Sequence, residues 1–459
     1  MKPTTHALVT TPAALDDWIE REGIRFFKIG IFDGDGVMRG KYVDRRKLAS
    51  AVDKGFGFCD VVLGWDLHDA LHPETRVSGW HTGYRDAPVR LDLSTLRRIP
   101  WEEDTLLLIG AFEGEYAAVC PRSVLARTLE HANRLGFDVE AAFEYEFFLF
   151  DETPESVRAK GYRDLKPATP GMFGYSILRS SVHAELYHAL LDDMAAFDCA
   201  LEGLHTETGP GVLEAAIRHA PGLAAADKAA LFKTFAKVLV QRAGMMATFM
   251  AKWNDDYPGQ SGHIHLSLTD PKTGRNLFHG PDERFEMSET MRRFVAGQVK
   301  YLPELLAMVC STVNAYRRLV PGLWAPTASN WGVENRTTAI RVIPAGPEGQ
   351  RSEFRIAPAD ANPYLALAAA LAAGLAGIEE RLEPGEPVIG SAYAANPPEA
   401  LALPGSLAEA SARLRASALA RRIFGDAFVD HHATTRDAEE RAFRRSVSDW
   451  DLARYFELI

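Results

Sequence analysis

Residues 141–150, Ala-Ala-Phe-Glu-Tyr-Glu-Phe-Phe-Leu-Phe, constrain the fold more than any other stretch of the chain. The run reads as a β-strand, in which residues i and i+2 share a face. Glu144 and Glu146 then project side by side from one face, and Phe143, Tyr145 and Phe147 project from the other. Exposed strands seldom carry so many large apolar residues, so the strand belongs inside a packed sheet. Two neighbouring carboxylates in apolar surroundings repel each other and are costly to desolvate. A multivalent cation relieves both problems, and the pair is read as a metal site.

The chain has 459 residues, enough for two or more domains and a large core. Its formal net charge of −11 argues against a nucleic-acid binder, which needs a concentrated basic face. It leaves nucleotides open, because arginines and metal bind these locally. Cys59, Cys120, Cys199 and Cys310 form no CxxC pair, so buried thiols in a reducing cytoplasm are expected. The opening Met-Lys-Pro-Thr-Thr-His leads into no apolar signal segment. The most apolar stretch, Tyr364 to Ile378, is shorter than the roughly 20 residues of a membrane span. It follows Asn362-Pro363, a helix-start signal, and reads as a buried helix.

Residues 1–112 read as a small mixed domain and 113–459 as a larger α+β unit. A helix near 15–22 precedes a strand at Phe26–Phe32 and the turn Asp33-Gly34-Asp35-Gly36. Val37 and Met38 rule out a calcium loop there. Residues 121–135 and the spacing Leu231, Phe232, Phe235, Val238, Leu239 predict helices. Met245 to Trp253 reads as another buried strand. Residues 384–406, with Pro384, Pro387, Pro397, Pro398 and Pro404, read as a surface loop.

Four further clusters could carry chemistry. In His205-Thr-Glu207-Thr-Gly-Pro-Gly-Val-Leu-Glu214 a glycine-rich bend either folds two carboxylates toward one point or forms a polar loop. His263, His265 and Ser267 alternate after Pro258-Gly259-Gln-Ser-Gly, which puts them on one strand face behind a turn that lets a ligand approach the backbone. Arg317, Arg318, Arg336 and Arg341 offer forks for carboxylates and phosphates. Arg351, Glu353 and Arg355 again share a strand face. This inventory suits Mg²⁺ or Mn²⁺ holding a nucleoside triphosphate, rather than zinc. No Gly-Lys-Ser/Thr loop is present, so an ATP site is of another kind.

These motifs resemble the glutamine synthetase family over almost the whole chain. The resemblance rests on Glu-Tyr-Glu-Phe at 144–147, Glu207…Glu214, Ser-Gly-His-Ile-His at 261–265, Arg-Leu-Val-Pro-Gly at 318–322, Glu-Asn-Arg-Thr at 334–337, Glu-Phe-Arg at 353–355 and Asn-Pro-Tyr at 362–364. It implies an N-terminal β-grasp domain joined to a catalytic α+β domain. It also implies a homo-oligomer, usually a dodecamer of two stacked hexameric rings with active sites between subunits. The implied reaction transfers the terminal phosphoryl group of ATP to the γ-carboxylate of glutamate, and an amine then displaces phosphate. By motif, Glu146, Glu207 and Glu214 correspond to ligands of one metal, and Glu144, His263 and Glu353 to ligands of a second. Arg318 and Arg355 correspond to residues holding the glutamate carboxylates, with Gly259 close to the bound amino acid. Arg336, Arg341 and Arg351 correspond to arginines on the phosphates. His265 and Ser267 lie where the family contacts nucleotide. Asp33 matches an aspartate supplied across the subunit boundary to the amine site.

The chain departs from the family where the amine binds. Ammonia-using members carry Pro-Gly-Tyr-Glu-Ala-Pro in the flap; here it reads Pro321-Gly322-Leu323-Trp324-Ala325-Pro326. Trp324 replaces a carboxylate that closes the site and takes a proton from ammonium. Met172 stands where the family usually has a tyrosine. A Trp–Met wall offers cation–π and dispersion contacts in place of polar acceptors. The expected amine is therefore larger than ammonia. An ammonia-using glutamine synthetase and a non-catalytic ring-forming relative are the alternatives.

Overall fold

The structure, a computed structural model, describes residues 9–72, 74–394 and 398–459. The first six residues and Pro397, both used in the sequence reading, lie outside the described residues.

Two sheets organise the chain. The first combines β1 (Phe26–Phe32), β2 (Met38–Val43), β3 (Phe56–Cys59), β4 (Asp86–Arg98) and β5 (Thr105–Phe112) in the order β2-β1-β5-β4-β3. The Asp33–Gly36 turn joins β1 to its antiparallel neighbour β2, while β5 runs parallel to β1. Ile29, Ile31, Val89, Leu106 and Leu108 fill the core of this sheet with Trp18 and Ile19 from the helix Pro12–Glu22. That helix begins where Thr11 accepts a hydrogen bond from the Ala14 N–H.

The second sheet has nine strands: β6 (Asp138–Phe150), β7 (Leu201–Thr206), β8 (Val212–Ile217), β9 (Ala220–Pro221), β10 (Met246–Thr248), β11 (Gly262–Thr269), β12 (Trp331–Val333), β13 (Ile340–Ile343) and β14 (Arg351–Phe354). Its main path is β12-β13-β14-β11-β6-β8-β7, with β9 and β10 pairing onto β6. The Glu144–Glu146 strand is thus central. Its alternation does what the sequence requires. Phe143, Tyr145 and Phe147 are buried on one face, where they stack among themselves and with Phe232 and Phe249. Removing one such ring, as in Phe147→Ala, costs about 3–5 kcal/mol.

Behind this face lie the helices Gly222–Arg242, Glu289–Val309 and Pro363–Glu379. The last is buried on every side and packs tightly on Glu289–Val309. A Cβ on either Gly297 or Gly377 would run into the other's backbone. Asn362 caps it, accepting from the Tyr364 N–H at 3.0 Å. The same side chain donates to the carbonyls of Asp33 (3.3 Å) and Gly34 (3.1 Å), which ties the β1–β2 turn to the start of the helix. No helix among the described residues is long and apolar enough to cross a membrane.

One expected strand is cut short. Met245–Trp253 pairs with β6 only over Met246–Thr248. Beyond it the backbone leaves the ladder: the Lys252 N–H donates to Asn314 Oδ1 (2.8 Å) and the Gln260 N–H to the Ala251 carbonyl (2.8 Å).

Candidate active site

Register across the second sheet brings distant acids together. Glu144 lies opposite His263, Glu146 opposite Glu214, and Glu214 opposite His205. On the other side His265 lies opposite Glu353, and Glu353 opposite Arg341. Because side chains alternate, all of these share the face turned away from the aromatic core. Glu207 follows β7 directly, where its carboxylate accepts the Thr208 N–H (2.7 Å).

The acids form two groups. In the first, His265 Nε2 is 3.1 Å from Glu144 Oε1, and His263 Nδ1 is 3.3 Å from Glu353 Oε1 and 3.7 Å from Glu144 Oε2. Burial alone would raise the Glu144 carboxyl, but His265 and His263 hold it well below the usual range. Glu353 is 1% exposed and receives Arg355 on one oxygen and Arg341 (3.0 Å) on the other. Burial works against its charge, yet Arg355 and the two histidines bring it down to about 2. Burial, followed by Arg355, lowers His263 and favours the neutral imidazole.

The second group is Glu146, Glu207, Glu214 and His205. His205 Nε2 is 3.4 Å from Glu214 Oε1. Here burial, followed by Glu214, pushes Glu146 above the usual carboxylate range, and Glu207 adds to the effect. Arg318 and the Ser261 N–H (2.6 Å) oppose it without cancelling it.

The donor set fits a divalent cation. One ligand atom each from Glu144, His265 and Glu353 lie within 4.8 Å of one another, as do those from His205, Glu207 and Glu214. The buried Nε2 of His263 has no hydrogen-bond partner. Carboxylate oxygens with a minority of imidazole suit Mg²⁺ or Mn²⁺.

The arginines divide. Arg351 Nε is 3.1 Å from His265 Nδ1, and its Nη1 donates to the Gly349 carbonyl (2.9 Å). Arg336 is exposed. Arg318 is fully buried: it donates to the Ile356 carbonyl (2.9 Å), Ser261 Oγ (2.8 Å) and the Arg355 carbonyl (3.2 Å). Gly259 lies against it, and a Cβ there would sit 2.7 Å from Arg318 Cγ. Ser267 is half-buried opposite Glu140.

Asp33 belongs to the first sheet, where Oδ2 accepts from Arg39 Nε (2.8 Å) and Oδ1 from the Val37 N–H (2.9 Å). Burial, followed by Asp35, raises its carboxyl to about 6. Trp324 is 55% exposed at φ +60°, and Met172 is exposed in the loop 170–176.

Two residues near the acids carry no role in the sequence reading. His205 joins the second group; its alternation with Glu207 was the available signal. Tyr175 stacks on the His205 ring, centroids 4.5 Å apart and planes 28° apart. No periodicity marks it, because it lies in a loop.

Residues 118–455 match the glutamine synthetase catalytic domain. The chain is 44% identical over 439 residues to type-1 glutamine synthetase 2 of Dictyostelium discoideum, covering 95% of this chain and 84% of that one. It is 37% identical over 447 residues to a glutamate–isopropylamine ligase of a Pseudomonas species, covering 96% and 97%. Among solved structures, a GmaS–ADP complex superposes with a TM-score of 0.84 at 28% identity, covering 96% of this chain and 99% of that one. The chain therefore belongs to the glutamine synthetase family.

Proposed function

We propose that this protein is an ATP-dependent ligase that joins the γ-carboxylate of glutamate to a primary amine larger than ammonia. The observation that carries the amine assignment is Trp324, which stands where ammonia-using members have the flap glutamate. Its similarity to a relative named for isopropylamine supports the same reading.

In the first step a γ-carboxylate oxygen attacks the terminal phosphorus of ATP, giving γ-glutamyl phosphate and ADP. In the second the amine nitrogen attacks the acyl carbon, phosphate leaves and the amide forms. Glu146, Glu207, Glu214 and His205 on one side, and Glu144, His263, His265 and Glu353 on the other, would hold two or more Mg²⁺ or Mn²⁺ ions. Bound there, the cations supply positive charge for the triphosphate and the transferred group. Arg336, Arg341 and Arg351 add donors on the phosphate side and Arg355 on the glutamate side, where the buried Arg318 holds the Arg355 carbonyl. Trp324 cannot accept a proton, so an ammonium must lose its extra proton before attack, to solvent or to a carboxylate such as Asp33 of a neighbouring subunit, and the proton shed as the amide forms leaves with the phosphate. Trp324 and Met172 would exclude water, which otherwise hydrolyses the acyl phosphate.

The reading includes a β-grasp domain over residues 1–112, supported by the separate core of the first sheet. Residues 113–459 form the catalytic domain. It also includes a cytoplasmic dodecamer of two hexameric rings, in which Asp33 serves a neighbouring subunit. The position of Asp33 outside its own chain's acid face is consistent with that.

Phosphate release with ATP, Mg²⁺ and glutamate across an amine panel tests the proposal. An alkyl- or arylalkylamine should exceed ammonia by roughly tenfold or more in kcat/KM. The similarity to a type-1 glutamine synthetase favours ammonia instead, and ammonia outperforming every larger amine would establish that reading. Trp324→Glu should raise ammonia turnover.

A further inference from the structure

Outside the residues assigned above, independent observations converge on Tyr175. Its ring is 65% exposed yet stacked on His205, which faces Glu214. Its φ of +55° is unusual for a residue with a side chain and costs on the order of 1 kcal/mol. A clamp on Thr206 holds it there. The Tyr175 N–H donates to the Thr206 carbonyl (2.7 Å) and the Ser176 N–H to Thr206 Oγ1 (2.8 Å). Thr206 Oγ1 in turn donates to the Phe173 carbonyl (2.8 Å). Thr206 lies between His205 and Glu207, so the clamp fixes the loop to the edge of the acid face. Met172 and Phe173, in the same loop, are 48% and 54% exposed. A left-handed backbone, a ring stacked on His205 with its hydroxyl reaching Glu207, and an exposed apolar loop thus meet at the edge of the charged cluster.

We propose that Tyr175, backed by His205, is a specificity-determining wall of the amine site. One ring face rests on the imidazole; the other is free to take the carbon substituent of a primary alkyl- or arylalkylamine. Ammonia has no substituent and gains nothing from this face. The inference rests on the ligase reading above and deepens it by naming the surface that selects the amine.

The test is steady-state kinetics on the full chain with isopropylamine, 2-phenylethylamine, putrescine and ammonia. The readout is the ratio of kcat/KM for each larger amine to that for ammonia. A merely structural role lowers all amines in proportion and leaves the ratios fixed. Tyr175→Ala and Tyr175→Leu should each cut the isopropylamine and 2-phenylethylamine ratios by about tenfold, chiefly through the amine KM. Tyr175→Phe, which keeps the face, should hold them within roughly threefold of the wild type. Unchanged ratios in both the Ala and Leu variants overturn the wall, as does an equal loss in Tyr175→Phe. Putrescine as the best wild-type amine also overturns it, because a second ammonium calls for an acid rather than an apolar face. If the wild type releases no glutamate-dependent phosphate with any amine, the ligase reading falls, and this inference falls with it. An active wild type with unmoved ratios sinks this inference alone.

Discussion

The two halves of the acid face solve the same electrostatic problem in opposite ways. Around Glu353, two arginines supply countercharge from within the fold and histidines lie close by, and Glu353 is held down to about 2. Around Glu146, Glu207 and Glu214 the chain supplies too little positive charge, and the Glu146 carboxyl is pushed up. The first half supplies more of its own countercharge, whereas the second leaves more of it to be supplied from outside the fold. A binding site can therefore be recognised by a charge deficit as well as by its ligand atoms.

The most severe test is removal of a carboxylate from the deficient half. Glu214→Ala should lower kcat for glutamate-dependent phosphate release on the order of a thousandfold, because charge stabilisation at the transferred group is lost. A loss below tenfold would break the assignment.

In the self-neutralised half the effect should appear as instability. Glu353→Gln leaves Arg341 and Arg355 without their shared charged partner and should cost about 3–5 kcal/mol in metal-free urea unfolding.

Glu146→Gln should have a smaller effect of the opposite sign. Without metal it removes the cost of either burying that charge or taking up a proton on folding, and should stabilise the protein by about 1–2 kcal/mol near neutral pH. The pH dependence follows from the direction of the shift. The unfolded chain releases this proton near the ordinary value of 4.5, while the folded chain keeps it to higher pH. Through that window the folded state binds more protons, so metal-free stability falls as pH rises, by at most about 1.4 kcal/mol per unit. The Gln variant should lose this slope, and Mn²⁺ should raise the melting temperature of the wild type more than that of the variant.

Much of this face was legible because strands write their faces into the sequence with a period of two. Glu144/Glu146, His263/His265 and Arg351/Glu353/Arg355 each announced a shared side, and β6, β11 and β14 carry them. Asn362-Pro363 marked its helix start for an equally local reason. Which strands are neighbours was not legible from spacing, since register depends on the whole sheet. Nothing local places Glu146 opposite Glu214 or Glu144 opposite Ala216. His205 escaped assignment because its meaning depends on that pairing. The burial of Arg318 was hidden for a related reason: the carbonyls of Ile356 and Arg355 that occupy it come from a distant segment. The resemblance to a family named the acids, but it could not show which of them fold into a charge deficit.

The Asn362 side chain has a consequence for chain engineering. One amide both starts the central buried helix and grips the turn that carries Asp33. The first sheet is therefore not a cassette to be exchanged freely among relatives. A chimera that replaces residues 1–112 must bring a turn whose two carbonyls meet that amide. One that does not would disturb the helix cap and the placement of Asp33 in the same event.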